Sequence, residues 1–203
     1  MKAVLFRAHG GPDKLSYEDL PTPVIGPDEV LVKVKACALN HLDIWIRQGN
    51  PAYPMPMPHV SGSDVAGVVE QVGAQADHVT VGQRVFISPG ISCWKCEQCL
   101  AGRDNFCRSY SLLGAMMHGG YGEYVKVPFR NVLPMPENLS FEQAAAFPLV
   151  SVTASHMLFA QAGLQHGETV LIMGGGSGVG TMAIQLAKLA GARVITTVGS
   201  DDK

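Results

Sequence analysis

Four cysteines within fifteen residues place the tightest constraint on how this chain folds. They follow the spacing Cys93-x2-Cys96-x2-Cys99-x7-Cys107. Four thiolates on so short a loop can surround one Zn²⁺ ion tetrahedrally, with sulfur–zinc distances of about 2.3 Å. Such a closed shell leaves no open position, so the spacing predicts a structural zinc lobe at about residues 90–110. An iron–sulfur cluster is disfavoured, because the fourth cysteine is too distant and no proline follows it.

Composition indicates a globular chain that acts on small molecules. Hydrophobic residues make up 47% and charged residues 16% of the 203 positions, which supplies a sizeable core. The net charge is -2 without a basic patch, so no nucleic-acid partner is expected. No apolar run reaches the ~18 residues of a membrane span, and Lys2 and Arg7 bring charge too early for a signal peptide. Clustered thiols in such a chain favour the cytoplasm.

Residues 1–140 are predicted to form a β-rich domain. Val30, Val32 and Val34 alternate with other side chains, which is typical of a half-buried strand over residues 30–35. Gly67 is expected to interrupt one of the other strands. Those strands are predicted over residues 3–7, 64–72, 84–88, 121–127 and 131–133, and helical turns over residues 39–48.

Residues 141–203 are predicted to hold linking helices and the start of a second domain. Ser140 is typical of a helix N-cap, Pro148 is expected to interrupt that helix, and residues 152–162 to resume it. A strand, a glycine loop, a helix and a second strand follow over residues 169–173, 174–180, 181–190 and 193–198. This is one βαβ unit. A doubly wound sheet needs about five or six strands, so we expect the chain to be a fragment of, or a product cut inside, its second domain.

The glycine loop is a candidate phosphate-binding site. Its sequence is Gly174-Gly175-Gly176-Ser177-Gly178-Val179-Gly180. Small residues before a helix let backbone amides and the helix dipole approach a pyrophosphate. The literal G-x-G-x-x-G pattern is absent, and a tight helix–sheet turn is the alternative. The strand–loop–helix–strand context favours nucleotide binding by Gly176, Ser177, Gly178, Val179 and Gly180.

The end of the second strand bears on the choice of nucleotide. Sites for NAD normally carry Asp or Glu here to bind the ribose hydroxyls, and neither Val198 nor Gly199 is acidic. Ser200 and Lys203 are suited to a 2′-phosphate, although two acids lie between them. The sequence therefore favours NADPH and leaves NADH open.

Several motifs together resemble the medium-chain dehydrogenase/reductase superfamily, which includes zinc alcohol dehydrogenases and quinone oxidoreductases. They are Gly62-Ser63-Asp64-Val65-Ala66-Gly67-Val68-Val69 with Val72-Gly73, the four-cysteine lobe, Gly120-Tyr121-Gly122-Glu123-Tyr124, and Gly176-Ser177-Gly178-Val179-Gly180. The resemblance implies a mixed fold, with a GroES-like catalytic domain before a Rossmann domain and the active site between them. It also implies that a third or more of a typical member lies beyond residue 203, and that the full-length protein is a homodimer or homotetramer.

The chain departs from the alcohol dehydrogenases at each position that resembles a catalytic zinc ligand. Asn40 stands where they have Cys, Ser63 stands where they have His, and residues 148–153 contain no cysteine. Leu42 replaces the hydroxyl residue that relays the alcohol proton. Without zinc as Lewis acid, direct alcohol oxidation loses its electrophile, whereas reduction of a conjugated carbonyl can rely on hydrogen bonds.

The resemblance to the quinone oxidoreductases implies NADPH-dependent reduction of a quinone or α,β-unsaturated carbonyl without catalytic zinc. In that comparison Asn40 binds the substrate or the nicotinamide ribose, and Thr153 binds the nicotinamide amide. Tyr53 and Trp45 are expected to line the substrate pocket, with core packing as the alternative for both rings.

Two other functions stay open from the sequence. A rearranged catalytic zinc site can be drawn from His41, His59 and Asp64, with Asp43 and Cys37 nearby in the sequence, which would restore alcohol dehydrogenase chemistry. Alternatively, the chain as it stands is a non-catalytic binding module.

Overall fold

The computed structural model describes residues 1–51 and 53–200, and the chain divides into two compact units. The first unit runs from Met1 to Pro148, and the second begins at Leu149. The division follows the short helix Phe141–Ala145, whereas the sequence-based boundary lies before it. Mixed α and β structure with a β-rich first part agrees with the expected fold class.

An antiparallel five-stranded sheet forms the framework of the first unit. The strands there are β1 (Lys2–Leu5), β2 (Ser16–Asp19), β3 (Glu29–Ala38), β4 (Asp64–Val72), β5 (Arg84–Ile87), β6 (Gly90–Ile91), β7 (Ser111–Leu112), β8 (Tyr124–Pro128) and β9 (Val132–Pro134). The main sheet has the order β8-β3-β4-β5-β9, and β1–β2 and β6–β7 form separate pairs. The sequence did not predict β2, β6 or β7. These strands are short, and their apolar and polar residues alternate only weakly.

Strand β3 lies inside this sheet and extends beyond its predicted length. Val30 and Val32 are fully buried and pack with Val65 and Val85 in the main core cluster. Leu31 faces the other way and is also buried, so both sides of the strand are covered at its start. Burial on both sides explains why the alternating pattern holds for only part of β3.

Gly67 does not interrupt β4, contrary to the expectation from sequence. The strand continues through it, and Gly67 pairs with Val34 of β3. A Cβ atom at this position would overlap the backbone carbonyl of Lys33. Glycine is therefore needed because the neighbouring backbone approaches closely, which is a recognised role of glycine in strands.

Helices occupy the connections and the second unit. They are α1 (His41–Gln48), α2 (Glu97–Leu100), α3 (Phe141–Ala145), α4 (Pro148–Ser155) and α5 (Gly178–Leu189). Ser140 caps α3 as predicted, because its Oγ accepts a hydrogen bond from the Gln143 amide at 3.2 Å. Among residues 1–51 and 53–200, no helix has the length and apolar character that a membrane span requires.

Pro148 begins a helix where an interruption was expected. It opens α4, which runs directly into a π-helical segment at His156–Gln161. Proline is accommodated in a first turn because its missing N–H would have no partner there. The predicted restart at residue 152 therefore falls inside an existing helix.

The second unit contains the predicted βαβ arrangement. Strand β10 (Thr169–Ile172) pairs in parallel with β11 (Arg193–Thr196), and α5 connects them. The core between helix and sheet includes Ala154, Leu158, Ile172, Ala183 and Ala187. Helix α5 begins at Gly178, earlier than predicted, because Ser177 caps it.

Candidate functional site

The structure brings the four clustered cysteines together. The sulfur atoms of Cys93, Cys96, Cys99 and Cys107 all lie within 4.8 Å of one another. Individual sulfur–sulfur distances are 3.5 Å for Cys96–Cys99, 3.9 Å for Cys93–Cys99 and 4.0 Å for Cys96–Cys107. A tetrahedral zinc site with bonds of about 2.3 Å places its sulfurs about 3.8 Å apart. A disulfide would need about 2.0 Å. The donor set therefore fits one zinc ion.

Backbone amides support negative charge on some of these sulfurs. The amides of Cys93 and Ser109 donate to Cys107 Sγ at 3.3 and 3.4 Å. Amide hydrogen bonds, the strongest from Cys99, lower the pKa of Cys96 to about 6. Burial raises the pKa of Cys99 to about 12. Thiolates are the zinc-binding form, so amide donors aimed at sulfur suit a metal site.

A second group of polar side chains surrounds the start of α1. Asn40 Nδ2 donates to Asp64 Oδ2 at 2.8 Å. Asp64 is 1% exposed, and Asn40 is half-buried just before the helix. The Asn40 amide is therefore held by a buried carboxylate.

Asp43 connects this group to two other chain segments. Its Oδ2 accepts hydrogen bonds from the Asn40 backbone amide and from the Tyr121 hydroxyl, both at 2.7 Å. Its Oδ1 accepts from the Gly62 amide at 3.3 Å. From sequence, Asp43 was considered only as a possible metal ligand, and no role was predicted for Tyr121. The Asn40-x-x-Asp43 spacing, which resembles a helix capping box, is the signal that could have identified the link.

Asp43 and Tyr121 also line a cavity of about 590 Å³ in the first unit. Its walls are mainly apolar and include Phe6, Val34 and Ile44. Asn40 and Asp64 are not among the lining residues, but Asp43, which accepts from the Asn40 backbone amide, links their hydrogen bond to the cavity wall.

His41, His59 and Asp64 do not form a zinc site in this structure. In the described part of the chain, the cysteine lobe is the only group of three or more His, Cys, Asp or Glu ligands close enough to share an ion. His59 is fully buried, with Nε2 3.0 Å from the Gly114 carbonyl oxygen. Exposed His41 packs edge-on against Trp45, with ring centres 4.9 Å apart. These three side chains therefore do not fit a catalytic metal.

The two aromatic residues considered for the substrate pocket differ in their surroundings. Tyr53 is partly buried and packs on the cluster that contains Phe6 and Ile46. Trp45 is 50% exposed beside an open depression that also includes Gln48. Tyr53 therefore has packing contacts on its inner side, whereas Trp45 keeps a free face.

The glycine loop joins β10 to α5, and its backbone packs closely against neighbouring atoms. Gly174 has a φ of +69°, and a Cβ at Gly180 would overlap the Gly174 carbonyl oxygen. Ser177 Oγ accepts a hydrogen bond from the Gly180 amide at 3.0 Å. Gly176 and Gly178 are exposed at the helix start. This arrangement fits the pyrophosphate of a dinucleotide, because two exposed glycines coincide with the positive end of a twelve-residue helix.

Other candidate nucleotide contacts lie elsewhere in the second unit. Thr153 in α4 is exposed, and its hydroxyl donates to the Leu149 carbonyl at 2.8 Å, which leaves its oxygen as an acceptor. Ser200 is exposed beyond β11, while Lys203 lies outside the described residues.

The fold and these sites define a GroES-like domain with a cysteine lobe, followed by the first βαβ unit of a dinucleotide fold. The family model of the alcohol dehydrogenase GroES-like domain matches residues 26–137. The chain belongs to the medium-chain dehydrogenase/reductase superfamily.

Named relatives include both alcohol dehydrogenases and quinone oxidoreductases. An alcohol dehydrogenase of Schizosaccharomyces pombe is 33% identical over 99% of this chain and 57% of its own length. The quinone oxidoreductase of Homo sapiens is 34% identical over 100% of this chain and 54% of its own. The crystal structure of an NAD-dependent alcohol dehydrogenase is 53% identical, with a TM-score of 0.95, over 100% of this chain and 59% of that one. The chain thus spans little more than half the length of these relatives.

Proposed function

We propose that the protein is a nicotinamide-dependent oxidoreductase that reduces a quinone or an α,β-unsaturated carbonyl, with NADPH as the preferred cofactor. The observation that carries the proposal is the Asn40–Asp64 hydrogen bond of 2.8 Å. The sequence resemblance implies a zinc-binding cysteine of alcohol dehydrogenases at this position, where this chain has an amide bonded to a buried acid. Reduction of a conjugated carbonyl does not require a Lewis acid, since hydrogen bonds can stabilise the developing oxyanion.

Residues of the second unit would hold the nucleotide. The exposed backbone at Gly176 and Gly178 would bind the pyrophosphate, while the Ser177 amide donates to the Gly174 carbonyl at 2.9 Å and holds the loop. The Thr153 hydroxyl oxygen would accept from the nicotinamide amide, and Ser200 with Lys203 would bind the 2′-phosphate. A bound reduced nicotinamide supplies the hydride. The exposed face of Trp45 would contact the substrate ring. Tyr53, which packs on the core, would line the same pocket.

The cysteine lobe would have a structural role. Zinc bound by its four sulfurs would have no open position, so it would hold the loop and take no part in catalysis. Four thiols kept as metal ligands fit a reducing compartment such as the cytoplasm. The full-length enzyme would be a homodimer or homotetramer acting on a small carbonyl compound.

Cofactor oxidation tests the proposal directly. NADPH and NADH absorbance is followed at increasing concentrations of 9,10-phenanthrenequinone, with and without a chelator that removes loosely held metal. We expect chelator-resistant turnover and a preference for NADPH. Ser200→Asp should shift the preference toward NADH, because an acid repels the 2′-phosphate and binds ribose hydroxyls.

Alcohol oxidation is the second candidate, because a relative 53% identical to this chain is described as an NAD-dependent alcohol dehydrogenase. Chelator-sensitive reduction of NAD by a primary alcohol, without quinone turnover, would favour it. A third outcome, no NADPH binding at millimolar concentration, would indicate a non-catalytic binding module.

A further inference from the structure

The first unit contains a second cavity, of about 520 Å³, beside the edge strand β8. It is lined by the chain that follows β2, by the segment before β8 and by β8 itself. This volume lies within the usual range of small-molecule sites, which is roughly 300–1,000 Å³. The walls are mainly apolar and include Met1, Leu20, Val60, Met116, Met117 and Val125. The cavity therefore offers room and apolar surface for a hydrocarbon group.

Methionine side chains give this cavity an adaptable surface. Met1, Met116 and Met117 all line it and are only partly buried by the protein. Unbranched thioether side chains adjust to irregular apolar partners. In the described part of the chain, Tyr124 is the only Phe, Tyr or Trp residue in the wall, so there is little flat surface for stacking. These walls favour a flexible aliphatic chain over a planar ring.

His118 adds a hydrogen-bond donor to the wall of the same cavity. The Val60 amide donates to its Nδ1 at 3.4 Å. Partial burial lowers the pKa of His118, so the ring is neutral near pH 7. A neutral imidazole whose Nδ1 accepts carries its proton on Nε2. No hydrogen bond from this Nε2 is found within residues 1–51 and 53–200, which leaves the N–H available to an acceptor on a ligand.

Lys126 brings positive charge to the wall. Its Nζ lies 3.0 Å from Glu29 Oε2, which also accepts from the Gly26 amide at 2.8 Å. An ammonium group has three N–H donors, so this ion pair leaves two of them. Among the described residues that line the cavity there is no Asp or Glu. One cation and one N–H donor without an opposing acid favour a ligand that carries negative charge.

We propose that this cavity binds a medium-chain aliphatic carboxylate, with its chain against the methionines and its carboxylate on His118 and Lys126. A carboxylate offers two acceptor oxygens, one for each donor, and the flexible lysine stem lets the ammonium adjust to it. A phosphate is disfavoured, because no arginine is found among the described lining residues. The inference goes beyond the proposed function and does not rest on it.

Methionine methyl signals locate the ligand. Labelling with ¹³C-methyl methionine gives nine signals, which Met→Leu substitutions assign. On titration with sodium octanoate we expect saturable shifts at Met1, Met116 and Met117. Met135, in another core cluster, and Met173, in the second unit, should not shift. Octanol has the same chain without the charge and should bind about tenfold more weakly, consistent with loss of a charged hydrogen bond.

Calorimetric titration of variants tests the two polar contacts. We expect Lys126→Gln and His118→Phe each to weaken octanoate binding about tenfold, without weakening octanol binding. Lys188→Gln, at an exposed position of α5, is the matched control for the change in net charge and should bind octanoate normally. Urea unfolding of each variant reports any general loss of stability.

A bulky side chain at the wall tests the location separately. Thr22 is exposed and lines the cavity, so Thr22→Trp should weaken binding of both octanoate and octanol by filling the space. Thr80→Trp, at an exposed site outside the wall, is its control. Because Thr22 is exposed, this variant keeps the proposal testable even if substitution of His118 or Lys126 prevents folding.

Each contrary result overturns a stated part of the proposal. Equal affinity for octanoate and octanol would refute the carboxylate, and full affinity in both Lys126→Gln and His118→Phe would refute its contacts. Shifts confined to methionines outside the cavity, or unchanged binding in Thr22→Trp, would refute the location. No saturable binding at millimolar octanoate would refute the site altogether. The proposed function stands or falls separately, because these titrations need neither nucleotide nor turnover.

Discussion

The hydroxyl of Tyr121 donates a hydrogen bond to Asp43 Oδ2 at 2.7 Å, across 78 positions of sequence. Asp43 also accepts from the Gly62 amide, so one carboxylate joins α1, the segment before β4 and the segment before β8. Burial is the main cause that raises the pKa of Tyr121, which keeps the phenol protonated as a donor. The surroundings of Asn40 therefore depend on contacts from distant parts of the first unit.

Removing this hydroxyl should destabilise the protein. We expect Tyr121→Phe to lower the free energy of unfolding by about 1.5–3 kcal/mol, the usual range for a hydrogen bond to a charged group. Urea unfolding of the 203-residue chain measures the change. Tyr124→Phe is the control, since no hydrogen bond to its hydroxyl is found in the described part of the chain. Equal effects of both variants would contradict the importance of the Asp43 contact.

Metal content should distinguish the cysteine lobe from any second site. We expect about one zinc ion per chain by elemental mass spectrometry, and none in Cys107→Ser, because a closed four-sulfur shell loses a ligand. Cys37→Ser is the matched control and should keep its zinc, because Cys37 lies outside the cluster. Two zinc ions, with one surviving in Cys107→Ser, would contradict the zinc-independent mechanism.

Acid should weaken the fold through His59. Burial lowers the pKa of His59 from its usual value of 6.5 and also lowers that of its neighbour His118. The unfolded chain therefore takes up protons more readily than the folded chain. The free energy of unfolding should be highest above about pH 6.5 and should fall as the pH decreases below that value. Urea unfolding over a pH series measures the slope.

Substitution of His59 should make that slope shallower. His59→Phe keeps a ring against Phe6, whose centre lies 5.4 Å from that of His59. The variant should be less stable at neutral pH, because the Gly114 carbonyl loses its donor, yet less sensitive to acid. His41→Gln, at an exposed site, should retain the original slope. An unchanged slope in His59→Phe would mean that other groups cause the acid sensitivity.

The start of α5 should tolerate no side chain at Gly180. Gly180→Ala should destabilise the chain by about 1–3 kcal/mol and weaken NADPH binding, since the Cβ overlaps the Gly174 carbonyl and displaces the loop. Gly199→Ala is the control for stability, because nothing lies within 4 Å of the added atom. Thermal unfolding and fluorescence titration measure the two effects. Full stability of Gly180→Ala would show that the loop can move away.

The features found from sequence share one property, which is that their residues are close along the chain. Cysteine spacing identified the four thiols, and alternating or periodic hydrophobic residues identified β3, β4 and the βαβ unit. Ser140 was recognised as a cap because its partner Gln143 is three residues away. Short-range geometry is encoded in spacing, so the sequence carries it directly.

The remaining features required the tertiary structure. Gly67 was expected to interrupt β4, yet β4 continues through it. Its missing side chain allows the backbone of β3 to approach closely, and the neighbouring sequence does not reveal this contact. The Asn40–Asp64 and Asp43–Tyr121 hydrogen bonds join residues 24 and 78 positions apart. The resemblance to alcohol dehydrogenases led to the prediction that Asn40 and Ser63 stand in place of zinc ligands. What Asn40 contacts was decided only when the sheet register brought Asp64 beside it, because long-range pairing depends on how strands align in space.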